Sequence, residues 1–398
     1  MRIAIFSHRF YPLAPVGGVQ LQAYEIALGL KRRGHEVTVY TSGGNSGSKA
    51  LSVDGIAVFA YPRLRGPLQR VVRCPHDVAP RMLDAVMRIH GSGTDVVQAF
   101  GSGVSFQTLV ASLGTRIRRL PFAYSPGGIH LPPPLTLESP GRIWEQIYRR
   151  SVGRTILRSA DIILTLTETG KRLIQSLGIP GSKIRVIPRG IHLEFFRELP
   201  PSDAFRSSLD LGSDDRLILS VGSPGVHKGT HTLISAFGKI AGSRPTVKLA
   251  LVGPDTRVAQ SMVDRLLPPE VRDRVLIVGP LRDRALGAAY AAADVFVLAS
   301  FSEGFGVVVL EAAAAGLPVI ATRTGVAAEL VRDGANGMFV RYGDDVGLAV
   351  ALDTILSSDA FRRDARRLRG SVMERYGFER EIAAYSDVYH ELAEAHAG

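Results

Sequence analysis

Two carboxylates eight positions apart, Glu303 and Glu311, stand in the run Ser302-Glu303-Gly304-Phe305-Gly306-Val307-Val308-Val309-Leu310-Glu311. The glycines read as a loop, and the Val/Leu/Ala run behind them predicts a helix beginning near Gly306. Glu303 then stands before the helix, at the mouth of a site, and Glu311 about a turn and a half inside it. A glutamate on an otherwise apolar helix is costly to bury unless it is hydrogen-bonded. A vicinal diol suits it, because one carboxylate accepts both hydroxyl protons at ~1.5–3 kcal/mol per charged hydrogen bond. The N–H groups of Gly304, Phe305, Gly306 and Val307 precede the first helical hydrogen bonds and are placed to face a diphosphate or a sugar. A structural glutamate capping a neighbouring loop accounts for the same residues without any chemistry.

A cation stands in a second glycine-rich loop, Gly222-Ser223-Pro224-Gly225-Val226-His227-Lys228-Gly229-Thr230. This is not a Walker A motif, which needs four residues between the first Gly and Gly-Lys. Gly222 is too far upstream and Gly225 too near, so an ATPase loop is rejected. Lys228 at a strand–helix turn still supplies a point charge suited to a diphosphate; a solvated lysine in a Gly/Pro turn is the plain alternative. A third loop, Tyr11 to Gln20, carries Gly17 and Gly18 after an apolar run and before a helical one. Such glycines let backbone N–H groups approach a phosphate at a helix start, and they serve a tight turn equally well.

Other chemistries lack their residues. There is no HExxH, CxxC, GxSxG or DxD pattern, so no metal site is expected, and no GxGxxG follows either first strand. His8, His130 and His227 are isolated and lack ligand spacing. Cys74 is alone, which excludes an internal disulfide and a cysteine zinc site.

The elements that position these loops alternate strand and helix throughout, the pattern of parallel sheets covered on both faces. In the first half, strands are expected at Arg2–Phe6, Glu36–Thr41, Ile56–Tyr61, Asp95–Phe100, Pro121–Ser125, Asp161–Leu166 and Ile184–Ile187. In the second they are expected at Leu217–Val221, Lys248–Val252, Val275–Val278, Val295–Leu298, Val319–Ala321 and Met338–Val340. These are continuous apolar runs, as strands buried on both faces require. Leu21, Tyr24 and Leu28 recur at helical spacing within Gln20–Arg33, and Phe378–Ala397 reads as an amphipathic helix. A break near Pro188–Pro201 divides two doubly wound domains. In open sheets of this kind ligands sit beyond the carboxyl ends of the strands, where all three loops fall.

The 398 residues suit two domains of about 150–200 residues each. With 45% hydrophobic and 21% charged residues, a disordered or low-complexity chain is excluded. The net charge of +11 is lopsided: residues 1–195 hold 25 Lys and Arg against 11 Asp and Glu, a surplus of 14, whereas residues 196–398 carry a net −3. A basic half attracts phosphates, anionic lipid or nucleic acid, and a solvated basic face gives the same composition. No zinc-finger, RNP-type or basic-zipper pattern supports nucleic acid. The start shows no signal-peptide pattern, and the apolar stretch Ala285–Ala299 is short of the roughly 20 residues of a membrane span. A cytoplasmic location is expected.

Taken together, these motifs resemble glycosyltransferase family 4, the retaining GT-B group, in order over nearly the whole chain. The resemblance is carried by Gly17–Gln20, Gly29–Thr41, Ile184–Phe196, Ile218–Phe237, Leu249–Pro254, Val275–Pro280 and most specifically Ala292–Thr322. It implies an α/β, GT-B fold of two Rossmann-like domains facing across a cleft. The acceptor domain would span 1–195, with a C-terminal helix at about 376–398 packing back on it, and the donor domain 196–375. By resemblance Lys228 binds the donor diphosphate, Glu303 the sugar hydroxyls and Glu311 the ribose. Gly304 to Val307 offer backbone N–H groups, Leu281 and Arg282 lie near the base, and Gly17 and Gly18 line the phosphate. The implied reaction is retaining sugar transfer from a nucleotide sugar, UDP- or GDP-linked by frequency, with no metal or cofactor. The implied acceptor is a saccharide or lipid-linked saccharide, with the basic half reaching an anionic membrane surface. The alternative is an inactive GT-B protein that binds sugar nucleotide or a partner transferase.

Three positions depart from the family pattern. Ser223 stands where an Arg is usual. Ser125-Pro126-Gly127-Gly128 replaces Ser-Pro-His-Gly, leaving His130 as the substitute for an acceptor-side histidine. Arg189-Gly190-Ile191-His192 replaces Asn-Gly-Val-Asp before the second domain.

Overall fold

The computed structural model describes residues 1–13, 18–43, 49–63, 78–101, 105–127 and 153–397. Two compact units divide the chain: Met1–Pro188 with Glu379–Gly398, and Arg189–Phe378.

The first unit is built on β1 (Arg2–Ser7), β2 (Glu36–Ser42), β3 (Lys49–Val53), β4 (Ile56–Tyr61), β5 (Val96–Phe100), β6 (Phe122–Ser125), β7 (Ile162–Thr165) and β8 (Ile184–Val186). Their order is β3-β4-β2-β1-β5-β6-β7-β8, parallel except for the antiparallel pair β3–β4. Up to Pro188, the described helices of eight or more residues in this unit are α1 (Gly18–Arg32), α2 (Asp84–Gly91), α3 (Phe106–Arg118) and α4 (Glu168–Ser176). The interior strands are buried on both faces, which is why they read as mainly apolar runs. The strand absent from the sequence reading is β3. It is a mostly exposed edge with no core alternation, turned by Asp54 and Gly55 at φ 49° and 71°, the left-handed pair of a tight hairpin.

The second unit carries β9 (Arg216–Val221), β10 (Val247–Val252), β11 (Val275–Val278), β12 (Val295–Leu298), β13 (Val319–Ala321) and β14 (Gly337–Phe339). They form one parallel sheet in the order β11-β10-β9-β12-β13-β14. Its longer helices are α5 (Thr230–Ala241), α6 (Thr256–Leu266), α7 (Asp283–Ala292), α8 (Val307–Ala314), α9 (Asp345–Leu356) and α10 (Asp359–Arg375). The reversal beside β9 and β12 is the switch point at which ligands of such sheets sit.

The last helix, α11 (Phe378–Ala397), belongs to the first unit from Glu379 onward. Its apolar stripe of Ile382, Tyr385, Val388 and Tyr389 is buried. Gly29 of α1 makes room for it, since a Cβ there would lie 2.6 Å from Ile382 Cδ1. The Tyr389 hydroxyl donates to Gln98 Oε1 at 3.0 Å. Val97 and Ala99 on either side of Gln98 point the other way, into a core with Val86 and Ile89 of α2 and Val110 and Ala111 of α3. The two faces of the first sheet are therefore covered by α11 and by α2–α3. Truncating a buried side chain of this kind, Ile382→Ala for example, costs about 2–5 kcal/mol. Among the described residues, no helix is long and apolar enough to cross a membrane.

Candidate functional site

The charged candidates gather at the carboxyl ends of neighbouring strands of the second sheet. Lys228 follows β9 and Glu303 follows β12. The lysine loop closes in a short 3-10 turn, Val226–Lys228, ended by Gly229 at φ 69°. A Cβ on Gly229 would stand 2.0 Å from the Ala299 carbonyl oxygen, so a glycine is needed for the loop to press on the end of β12. The Phe301 N–H then donates to the His227 carbonyl at 2.8 Å and ties the two loops together.

That closeness makes an ion pair. Lys228 Nζ donates to Glu303 Oε1 at 2.8 Å and to Oε2 at 3.1 Å. The Ser300 hydroxyl donates to the same Oε1 at 2.6 Å, and the Ser300 carbonyl accepts from Thr322 Oγ1 at 2.6 Å. The carboxylate side chain is only 10% exposed and the lysine 31%. Attraction between charges strengthens where water is excluded. An ammonium on a flexible stem nevertheless exchanges partners readily, unlike a guanidinium fork. Two residues that the resemblance assigns to separate parts of a ligand thus hold each other.

The loop beyond Glu303 starts α8 through Gly306, at φ 85°. Phe305 turns its side chain into the core, its ring 6.5 Å from that of Tyr376, and its carbonyl accepts from the Val326 N–H at 2.6 Å. The sequence reading asks only for its backbone amide. Glu311 is half-buried rather than enclosed, and it has a protein partner. The Tyr290 hydroxyl donates to Glu311 Oε2 at 2.7 Å, with a longer contact to the Val308 carbonyl at 3.3 Å. Burial first, then the Glu311 charge and hydrogen bond, push the Tyr290 hydroxyl well above its ordinary value. Tyr290 therefore keeps its proton and is a standing hydrogen-bond donor to Glu311.

Beside this cluster, Gly222, Pro224, Thr230, Gly253, Thr256 and Ile277 line a concavity at the ends of β9, β10 and β11. Ser223 is exposed in the same loop. Leu281 and the exposed Arg282 follow β11 and lead into α7, the helix that carries Tyr290. Among the described residues, no three His, Cys, Asp or Glu side chains converge as metal ligands.

In the first unit, Gly18 opens α1 and Gly127 follows β6. Gly127 sits at φ 59°, and a Cβ there would lie 2.9 Å from the Gly101 carbonyl oxygen and 3.0 Å from Val19 Cγ2. The start of α1 and the ends of β5 and β6 thus converge on position 127 and leave no room for a histidine. Gly17 and His130 lie outside the described residues.

The family described as Glycosyl transferases group 1 matches residues 201–368, and Glycosyl transferase 4-like domain matches residues 17–190. The chain belongs to this glycosyltransferase family. A D-inositol 3-phosphate glycosyltransferase of Xylanimonas cellulosilytica is 28% identical over 98% of this chain and 96% of its own. Sucrose-phosphate synthase of Thermosynechococcus elongatus superposes with a TM-score of 0.74 at 22% identity, over 99% of each chain. HepE of Anabaena, solved in complex with UDP and glucose, superposes at 0.76 with 20% identity over 98% of this chain and all of that one. The fold of this glycosyltransferase is accordingly GT-B, two Rossmann-like domains. Its site also contains residues that the sequence reading passed over. Tyr290 is one large residue in an Ala-rich helix, and Ser300 and Thr322 close the strands beside Glu303.

Proposed function

We propose that the second unit of this glycosyltransferase binds a nucleotide-sugar donor, UDP- or GDP-linked, and that the protein transfers its sugar with retention and without a metal. The acceptor is a saccharide or lipid-linked saccharide of cell-surface polysaccharide or glycoconjugate synthesis. It is held by the first unit, on the cytoplasmic side of an anionic membrane. The observation that carries the donor site is the Lys228–Glu303 ion pair beside the first turn of α8.

A diphosphate entering there draws Lys228 away from Glu303. The ammonium and the helix-start N–H groups then neutralise the charge that grows on the departing phosphate, which is electrostatic stabilisation in place. Glu303, released, accepts hydrogen bonds from the sugar hydroxyls, while Glu311, oriented by Tyr290, takes the ribose diol. The acceptor hydroxyl attacks from the face that the phosphate leaves, and that phosphate takes its proton. UDP in the HepE complex and the inositol 3-phosphate named for the relative support a nucleotide donor and a polar acceptor.

A thermal-shift series with UDP, GDP, ADP and their sugars, with and without Mg²⁺, tests the donor site. A ligand that binds the folded state alone raises Tm. One nucleotide family should raise it equally in both conditions. A flat response to all of them would remove the reading. One observation favours a second reading: Lys228 is the only Lys or Arg of the 222–230 loop, and Glu303 already holds it. A protein that binds sugar nucleotide without turnover would show the shift and consume no donor.

A further inference from the structure

Helices α2 and α3 lie together on the face of the first sheet opposite α11, and their outward sides are not those of a solvated surface. On α3, Leu109, Leu113 and Ile117 are exposed at steps of four residues, a single stripe along the helix. On the neighbouring element, Leu83 and Met87 are exposed at the same spacing. Met87 is 62% and Ile117 56% exposed, high for large apolar side chains in a well-packed unit. The Arg118 Nη2 contact to Met87 Sδ, 2.9 Å, joins the two stripes into one patch. Around it stand Arg81, Arg116 and Arg119, all exposed. The acid of this face is Asp84, which pairs with Arg88 at 2.6 Å.

A basic face that merely meets water has no reason to carry five large apolar side chains in register. Nucleic acid asks for cations but has no use for an aliphatic stripe. A folded protein partner would present charges of both signs, whereas the charges around this patch, apart from the Asp84–Arg88 pair, are arginines. Apolar residues seated among arginines match an anionic bilayer, whose headgroups are uniformly negative and whose acyl region accepts the aliphatic stripe. We propose that the α2–α3 face, through Leu83, Met87, Leu109, Leu113 and Ile117 with Arg116 and Arg119, is the surface by which this glycosyltransferase lies on an anionic membrane. It deepens the reading of the first unit as the side that meets a lipid-linked acceptor, and rests on that reading for its purpose.

Co-sedimentation of the full chain with vesicles of phosphatidylcholine, alone or mixed with phosphatidylglycerol, tests it. The wild-type protein should bind the mixed vesicles, less so at high salt, and the neutral ones poorly. Leu113→Gln with Ile117→Gln, and separately Arg116→Gln with Arg119→Gln, should each lower binding to the mixed vesicles by roughly tenfold or more. Val346→Gln with Val350→Gln, exposed positions of the second unit, should leave it unchanged. The nucleotide-induced Tm shift, measured on the same variants, reports their folding and stands or falls with the donor site alone. Wild-type binding that is absent, or that both α2–α3 variants retain in full, would overturn the proposal.

Discussion

The second sheet carries a buried acid at each end, and the two are held differently. At the amino end, Asp294 accepts from Arg216 Nη1 at 2.9 Å, from Arg362 of α10, and from the Leu217 N–H at 2.7 Å. Its side chain is 9% exposed. Every partner is a backbone amide or a guanidinium, so the cluster fastens β9, β12 and α10 in one geometry. At the carboxyl end, Glu303 is buried to the same degree but held by a serine hydroxyl and by Lys228. That lysine rises from a loop that has glycine at 222, 225 and 229. A guanidinium with a planar fork commits to one carboxylate, while a lysine changes partner at little cost. Similar burial and charge thus yield a latch at one end and an exchangeable pair at the other. The difference lies in the cation and in the stiffness of the backbone beneath it.

Four substitutions test that contrast. Lys228→Ala should lower kcat by about 10²–10³-fold, the usual loss on removing one preorganised donor from a developing negative charge. Steady-state turnover checks it, and a rate near the wild-type one removes Lys228 from the reaction. Asp294→Ala strands two arginines that reach water and one buried amide, a loss of about 2–4 kcal/mol. It should appear as a fall in Tm of several degrees with unchanged kcat below the transition; a drop in kcat at constant Tm would show that the two ends are not independent.

Glu311→Ala should weaken nucleotide binding by about 1.5–3 kcal/mol. Calorimetric titration reads this directly, and wild-type affinity would make Glu311 a purely structural residue. Tyr290→Phe should weaken it by only about 0.5–1.5 kcal/mol, with kcat unaltered. The Tyr290 hydroxyl is raised above its unfolded value of about 10, so its hydrogen bond is fully present below that pH and fades as pH climbs through the raised value. The wild-type to Tyr290→Phe affinity ratio should hence stay constant from neutral pH to about 10.

The strands of both sheets were legible because burial on two faces leaves few polar residues to interrupt them. The edge strand β3 was not, since exposure removes that signal, although Asp54-Gly55 marks its turn. At the site, the loops and the helix start at Gly306 could be read from glycine and apolar spacing. The pairing of Lys228 with Glu303 could not: it depends on β9 and β12 being neighbours, a fact of sheet order between residues 75 positions apart. The same holds for Tyr290, which meets Glu311 only once α7 and α8 pack. Gly127 read as a lost histidine, and the structure supplies a steric reason for it in the crowding by Gly101 and Val19.

The most direct test is a crystal structure of the protein with the nucleotide that gives the largest thermal shift. Glu311 should lie on the ribose hydroxyls and Lys228 Nζ within about 2.7–2.9 Å of a β-phosphate oxygen, with Glu303 released. A nucleotide bound elsewhere, or bound here with the Lys228–Glu303 pair intact, would contradict it.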